Sequence, residues 1–142
     1  IGKGEDTIRL KQIAKELDVE KYIDFLGFVD DINAYYQHCD IFSLPSKKEG
    51  FGIVYLEAMQ YKKPVIGVNF GGPTDVIKHN ETGYLCEYDN LNELSNCIFE
   101  IFINKSKRIE LGTNGYEYFI ENFTYKHYKN NLKSMLIGKN HG

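Results

Sequence analysis

Short β-rich apolar runs alternate with segments of helical periodicity, and this alternation restricts the chain to a layered α/β fold. The runs that indicate strands span 22–29, 40–46, 63–70 and 82–89. Helices are predicted over 7–19 (with Asp6 as N-cap), 30–39, 52–61, 91–104, 106–121 and 125–137, and one or two helical turns over 73–79. Strands separated by helices run parallel, so we predict a parallel sheet followed by C-terminal helices over 91–142.

The composition argues against two classes of partner. The formal net charge is −3, and a mildly acidic surface attracts neither nucleic acid nor an anionic membrane. The apolar runs are far shorter than the ~20 residues of a membrane span. Cys39, Cys86 and Cys97 have no metal-ligand spacing. We expect free thiols in a reducing compartment, with Cys39 and Cys97 buried in apolar surroundings.

One loop places a glycine turn between two carboxylates at a predicted helix start. In the stretch SKKEGFGIVYLEAM (46–59), Glu49 precedes the Gly50-Phe51-Gly52 turn and Glu57 lies about one helical turn beyond it. Ligands of α/β sheets bind at loops that leave the carboxyl ends of strands. The free N–H groups of a helix start favour a phosphate, and glycines let it approach the backbone.

These features suit a nucleoside diphosphate that carries a polar group. The diphosphate would lie at the amides of residues 50–53, and Glu57 would accept hydrogen bonds from the ribose diol. Glu49 would meet the polar group, such as a sugar. The structural alternatives are that Glu57 complements the helix dipole and Glu49 is a solvated loop charge. Lys47 and Lys48 either assist the diphosphate or are solvated loop lysines.

The loop and its neighbours resemble a known family. LPSKKEGFGIVYLEAM, KKPVIGVNFGG, DVI and TGYL, together with FLGFVDD (25–31), are similar to the donor-binding C-terminal half of the retaining glycosyltransferases of family 4, the glycosyl transferases group 1. That family has the GT-B architecture of two Rossmann-like domains. Its E-x7-E signature is matched by Glu49 and Glu57, and the resemblance covers roughly residues 1–95.

The resemblance implies a role for each matching residue. Glu49 contacts the sugar ring of the donor and is the expected catalytic residue, and Glu57 binds the ribose. The donor-binding backbone includes Gly50, Phe51, Gly52 and Ile53 in the same loop. The base is expected against Phe28 and Val29, and the nucleotide near a glycine turn matched by Gly2 and Gly4. Tyr35, Tyr36 and the aromatic residues of 116–128 are expected to pack rather than to stack on a ligand.

The resemblance also implies an incomplete domain. The family's half-domain begins with two strands and with basic residues that grip the diphosphate, and this sequence has neither. We therefore expect residues 1–142 to be a partial Rossmann-like domain with helices on both faces of a parallel sheet, lacking its first two strands. The strands at 22–28 and 40–44 would then be the third and fourth, about 14 Å apart in the parent.

The implied function is transfer of a sugar from a nucleoside diphosphate sugar to a hydroxyl acceptor, with retention of configuration and without a metal cofactor. The implied setting is polysaccharide or surface glycan synthesis in the cytoplasm, with the parent protein able to sit at the inner face of the membrane. The expected partners are the nucleotide sugar and an N-terminal acceptor domain of the parent chain. Two alternatives are a non-catalytic nucleotide-sugar-binding module and an epimerase or hydrolase on the same fold.

Overall fold

The computed structural model describes residues 1–2, 4–47 and 50–124 of the chain. Its helices and strands follow one another in the order α1 Thr7–Glu16, α2 Asn33–His38, β1 Phe42–Ser43, α3 Ile53–Gln60, β2 Val65–Val68, α4 Pro73–Val76, β3 Gly83–Cys86, α5 Leu91–Ile103 and α6 Lys105–Asn122. A single turn of 3₁₀ helix, Glu20–Tyr22, follows α1. The chain divides into two compact units, Ile1–Tyr35 and the part from Tyr36 onward.

The first unit contains α1 and an extended segment, and it corrects two predictions. Asp6 precedes α1, but its side chain accepts a hydrogen bond from Arg9 instead of capping the helix. The strand predicted over 22–29 is not formed within the described residues. A strand requires a ladder of hydrogen bonds to a neighbour. Residues 23–29 are joined to the start of the chain by the Gly2 N–H, which donates to the Gly27 carbonyl.

The second unit is built on a parallel three-stranded sheet of order β1-β2-β3. Phe42 of β1 pairs with Val65 of β2, and Val65 pairs in turn with Gly83 of β3. The described part of β1 has β2 as its one neighbour, so β1 lies at an edge of this sheet. Every residue of the central strand β2 is buried, as expected for a strand covered on both faces.

Helices cover both faces of the sheet. Neighbouring residues of β2 point to opposite faces, so their contacts show what covers each face. Ile66 belongs to a buried cluster with Ile101 of α5 and Leu111 of α6. Gly67 lies instead against Tyr55 of α3 and Pro73 of α4, whose side-chain atoms would stand about 3.1 Å from an added Cβ. The predicted parallel α/β sheet with helices on both faces is therefore confirmed.

The predicted elements of the second unit are present, and most are shorter than the sequence pattern indicated. The strands predicted over 40–46, 63–70 and 82–89 are reduced to the two to four residues that carry ladder bonds. The helix predicted over 125–137 lies outside the described residues. Asn90 and Asn104 cap α5 and α6 through side-chain oxygens that accept a backbone N–H three residues on.

The three cysteines are free thiols, but their burial differs from the prediction. Cys86 on β3 is the buried one, whereas Cys39 and Cys97 are half-buried because they lie at the margin of the core. Burial raises the pKa of the Cys97 thiol to about 11, so it stays protonated at neutral pH. None of the described helices combines the length and the apolarity needed to cross a membrane.

Candidate functional site

The loops that leave the carboxyl ends of β1 and β2 meet directly. Gly72, at the start of α4, lies so close to Gly50 that a Cβ added at Gly72 would collide with the Gly50 carbonyl oxygen. Glycine is therefore required at residue 72 by close backbone approach. The loop 70–74 and the glycine turn at 50–52 form one surface at this edge of the sheet.

The start of α3 forms part of this surface. Gly52 is the N-cap, with the left-handed dihedrals φ 84° and ψ 33° that glycine adopts readily. Its carbonyl accepts the Tyr55 N–H at 3.0 Å, and the Tyr55 hydroxyl donates to the Leu44 carbonyl at 2.7 Å. These bonds fix the helix start to the end of β1. The N–H groups of Ile53 and Val54 have no acceptor within a helix that begins at Ile53.

Glu57 lies in the second turn of α3 and is half-buried. One of its carboxylate oxygens accepts a hydrogen bond from the Tyr36 hydroxyl at 3.0 Å. The helix-dipole effect is confined to the first turn, so the dipole-complementing alternative has little weight. The predicted ribose role of Glu57 stays a prediction, and the structure adds a neighbour that holds its carboxylate.

The glycine turn carries an aromatic ring that contacts the end of α6. The ring of Phe51 stands edge-on to Phe123 at the end of α6, with 6.1 Å between centroids. Phe123 contacts Tyr118 in the same way at 5.4 Å. This contact links the predicted donor loop to the last described turn of α6, although Phe51 itself is half-exposed.

A cation lies at the same edge of the sheet. The ammonium group of Lys47, after β1, is 5.7 Å from the ring of Phe70 and 5.0 Å from the ring of Tyr88. Phe70 follows β2 and Tyr88 follows β3, so the two cation–π contacts of Lys47 connect loops from all three strands. Lys47 is exposed to solvent as well, and the solvated-loop alternative stays a prediction. A contribution to diphosphate binding stays a prediction.

The remaining predicted site residues fall into two groups. Phe28, Val29, Gly2 and Gly4 belong to the first unit. Within it the Gly2–Gly27 hydrogen bond of 2.6 Å brings the glycine turn beside the segment that carries Phe28 and Val29. Gly4 also serves α1, since its carbonyl accepts the Thr7 hydroxyl at 2.9 Å. Glu49 and Lys48 lie outside the described residues, and their predicted roles stay predictions.

This edge of the sheet offers anion-directed amides and an ammonium group, and the next turn of α3 carries the carboxylate that Tyr36 holds. The amides and the ammonium suit a phosphate, and a carboxylate suits hydroxyl donors. Within the described ranges, no three His, Cys, Asp or Glu side chains cluster in a way that could hold a metal ion. That an activity here needs no metal stays a prediction.

Sequence reasoning missed three contacts of this surface: Tyr36 with Glu57, Lys47 with two rings, and Phe51 with Phe123. Tyr36 was predicted only to pack, which it does, since it stacks on Tyr61 with ring centroids 6.0 Å apart. Each missed contact joins residues at least 21 positions apart in the sequence. Local patterns carry no signal for such pairs.

Comparison with known sequences finds relatives that match most of this chain. A glycosyltransferase of unassigned specificity from Haemophilus influenzae is 37% identical over 95 residues, which is 66% of this chain and 27% of the relative. The N-acetyl-alpha-D-glucosaminyl L-malate synthase of Bacillus anthracis is 32% identical over 123 residues, 87% of this chain and 32% of the relative. The chain thus spans about a third or less of the length of these relatives.

Comparison with solved structures supports the fold. The Anabaena protein HepE in complex with UDP superposes with a TM-score of 0.83 at 27% identity, covering 92% of this chain and 36% of HepE. The C-terminal domain of a group 1 glycosyl transferase, LpcC from Francisella tularensis, gives 0.79 at 29% identity, covering 87% of this chain and 66% of that structure. The family described as glycosyl transferases group 1 matches residues 1–118. The chain therefore belongs to the glycosyl transferases group 1 family and has the fold of the C-terminal domain of its GT-B members.

Proposed function

We propose that this chain binds the nucleoside diphosphate sugar of a glycosyltransferase that transfers the sugar to a hydroxyl acceptor. The observation that carries the proposal is the start of α3. Its glycine N-cap and the first amides, which have no acceptor within the helix, lie on the same surface as the Gly71-Gly72 loop, at the carboxyl edge of a parallel sheet. Such a helix start is a ready anion site.

Each part of the surface has one task in this proposal. The amides of Phe51, Gly52 and Ile53 bind the diphosphate and stabilise the charge that it gains as the leaving group. Glu57 accepts hydrogen bonds from the ribose hydroxyls. Glu49 contacts the sugar ring, and Phe28 and Val29 lie against the base. The electrostatic work falls to amides and side-chain cations, without a metal.

The relatives and neighbours support a nucleotide sugar as the ligand. HepE was solved with UDP and also with UDP-glucose, at 27% and 28% identity to this chain. A mycobacterial relative, 28% identical over 127 residues, is described as a GDP-mannose-dependent mannosyltransferase. Retention of configuration, a hexose as the transferred sugar, and a place in polysaccharide or surface glycan synthesis extend the proposal. The proposal also includes an acceptor domain elsewhere in the parent chain and a cytoplasmic setting at the inner membrane face.

A screen of nucleotide sugars against the full-length parent protein tests this function. UDP- and GDP-linked sugars are added singly, with ATP and NAD as nucleotide controls, and the thermal stability is measured. A true donor at 100 times its Kd should stabilise the protein by about 2.7 kcal/mol. Stabilisation by no nucleotide sugar, or equal stabilisation by ATP, would contradict the proposal.

Product analysis separates transfer from the alternatives. The stabilising donor, labelled in its sugar, is incubated with the protein and a panel of hydroxyl acceptors. A labelled glycoside of the donor's own anomeric configuration is the expected product. Free sugar alone would indicate a hydrolase, an isomeric donor would indicate an epimerase, and unchanged donor would indicate a binding module.

A further inference from the structure

Tyr36 is fixed on three sides next to Glu57. It is buried, with 3% of its surface exposed. Its ring stacks on Tyr61 at the end of α3 and stands edge-on to Phe42 of β1, with 5.5 Å between centroids. Its hydroxyl donates to the Glu57 carboxylate at 3.0 Å.

The helix that carries Tyr36 is also tied to the chain that follows α3. The Lys63 ammonium donates to the Gln37 carbonyl at 2.9 Å, next to Tyr36 in sequence. Burial, together with the hydrogen bond to Glu57, raises the pKa of the Tyr36 hydroxyl well above its usual range. The hydroxyl is therefore a permanent donor, and its position is set by packing that does not involve Glu57.

A fixed donor of this kind orients a carboxylate. A glutamate has three side-chain torsions to order before it can meet a ligand, and ordering them costs free energy. A bond from a rigid tyrosine orders them in advance. The oxygen that Tyr36 contacts, Oε2, keeps lone-pair capacity, and the other oxygen carries its own. Two vicinal hydroxyls can use that capacity.

We propose that Tyr36 is a positioning residue that holds the Glu57 carboxylate in the orientation that accepts the ribose diol of the donor. The inference rests on the proposed function, because it takes Glu57 as the ribose ligand. It goes beyond that function by assigning ribose recognition to a pair of residues, one on α2 and one on α3. Tyr36 itself need not touch the nucleotide.

The chain provides a matched control for this pair. Tyr84 on β3 is 4% exposed, and its hydroxyl donates to the Glu100 carboxylate on α5 at 2.8 Å. Its hydroxyl pKa is raised for the same reason, burial first and the carboxylate second. Tyr36→Phe and Tyr84→Phe each remove one part-buried tyrosine–glutamate hydrogen bond and keep the ring, so their effects on folding should be similar.

The test measures recognition of the ribose hydroxyls in the full-length parent protein. Calorimetry gives the Kd of the nucleoside diphosphate that the wild type binds, and the Kd of its 2′,3′-dideoxy form. The ratio of the dideoxy Kd to the normal Kd reports how much the diol contributes to binding. Tyr36→Phe is expected to weaken binding of the normal diphosphate about three- to tenfold, to leave the dideoxy Kd unchanged, and so to lower the ratio. Tyr84→Phe should leave both constants at the wild-type values.

Glu57→Gln distinguishes failure of this inference from failure of the ribose assignment. If Glu57→Gln lowers the ratio and Tyr36→Phe does not, Tyr36 has no positioning role although Glu57 binds ribose. If neither variant changes the ratio, the ribose assignment also fails. If Tyr36→Phe and Tyr84→Phe weaken both ligands equally, Tyr36 acts only through stability. In the double variant with Glu57→Gln, the loss should be no larger than for Glu57→Gln alone.

Discussion

At the scale of single residues, Glu57 has capacity beyond the bond it makes within the protein. A carboxylate accepts up to about four hydrogen bonds, and Tyr36 supplies one of them. Loss of a hydrogen bond to a charged group costs about 1.5–3 kcal/mol. Glu57→Gln in the full-length protein should therefore weaken nucleoside diphosphate binding about tenfold or more, as measured by calorimetry. Glu100→Gln, which alters the matching carboxylate on α5, is the control and should keep the wild-type Kd.

Glu49 is expected to act on the sugar and not on the nucleotide, because it precedes the glycine turn while the diphosphate amides follow it. Glu49→Ala should leave binding of the free diphosphate nearly intact while it strongly lowers transfer. Calorimetry with the diphosphate and turnover of labelled donor measure the two effects separately. A parallel loss of binding and turnover would show that Glu49 belongs to the nucleotide site.

The sequence predicts candidate site residues, but it does not predict the contacts that they make. Glu57 was identifiable because the E-x7-E spacing places it at a fixed distance from a helix start. Its partner Tyr36 lies 21 residues earlier, on another helix, and nothing in the local pattern distinguishes it from the adjacent Tyr35. Only the fold makes Tyr36 buried and leaves Tyr35 39% exposed.

At the scale of elements, the contact between the β1 and β2 loops should depend on a missing side chain. Gly72 has right-handed dihedrals, φ −49° and ψ −38°, which alanine tolerates. The obstacle to alanine is the Gly50 carbonyl, which an added Cβ would strike. Gly72→Ala should lower the free energy of unfolding by about 1–3 kcal/mol through overpacking and should displace the glycine turn.

Gly50 is the matched control, because an added Cβ there has no described atom within 4 Å. Gly50→Ala should change the free energy of unfolding by less than about 0.5 kcal/mol. Chemical denaturation of both variants measures the difference. Equal stability of the two variants would mean that the loops do not need their close approach.

The kinds of element were predicted more reliably than their ends. Strands β2 and β3 were identifiable because buried parallel strands are continuous apolar runs between glycine or proline. Residues 22–29 have the same β-rich composition, and the strand predicted there is absent from the described structure. The composition of a segment shows only that the segment favours an extended backbone. A strand also needs a neighbouring strand to pair with, and the residues of the segment do not reveal that partner.

At the scale of the whole molecule, the two units differ in how well their apolar side chains are buried. The second unit has a buried core around Ile66, Ile101 and Leu111. In the described part of the first unit the buried residue is Ala14, while Ile8 is 81% exposed and Phe28 is 66% exposed. Apolar side chains exposed together mark surfaces that other chain covers in functional proteins, or that aggregate.

Residues 1–142 on their own are therefore expected to show no transferase activity, to bind nucleotide sugars poorly and to be much less stable than the parent protein. The matched relatives are about three times longer than the stretch that they share with this chain, and in the described structure β1 lies at a sheet edge, which invites pairing with another chain. Amide exchange on the purified 142-residue chain should show protection at β2 and α5 and little at α1. A donor panel titrated against the same sample measures binding and turnover. A monomer protected throughout, with donor affinity equal to that of the parent, would show that residues 1–142 already contain a complete donor site.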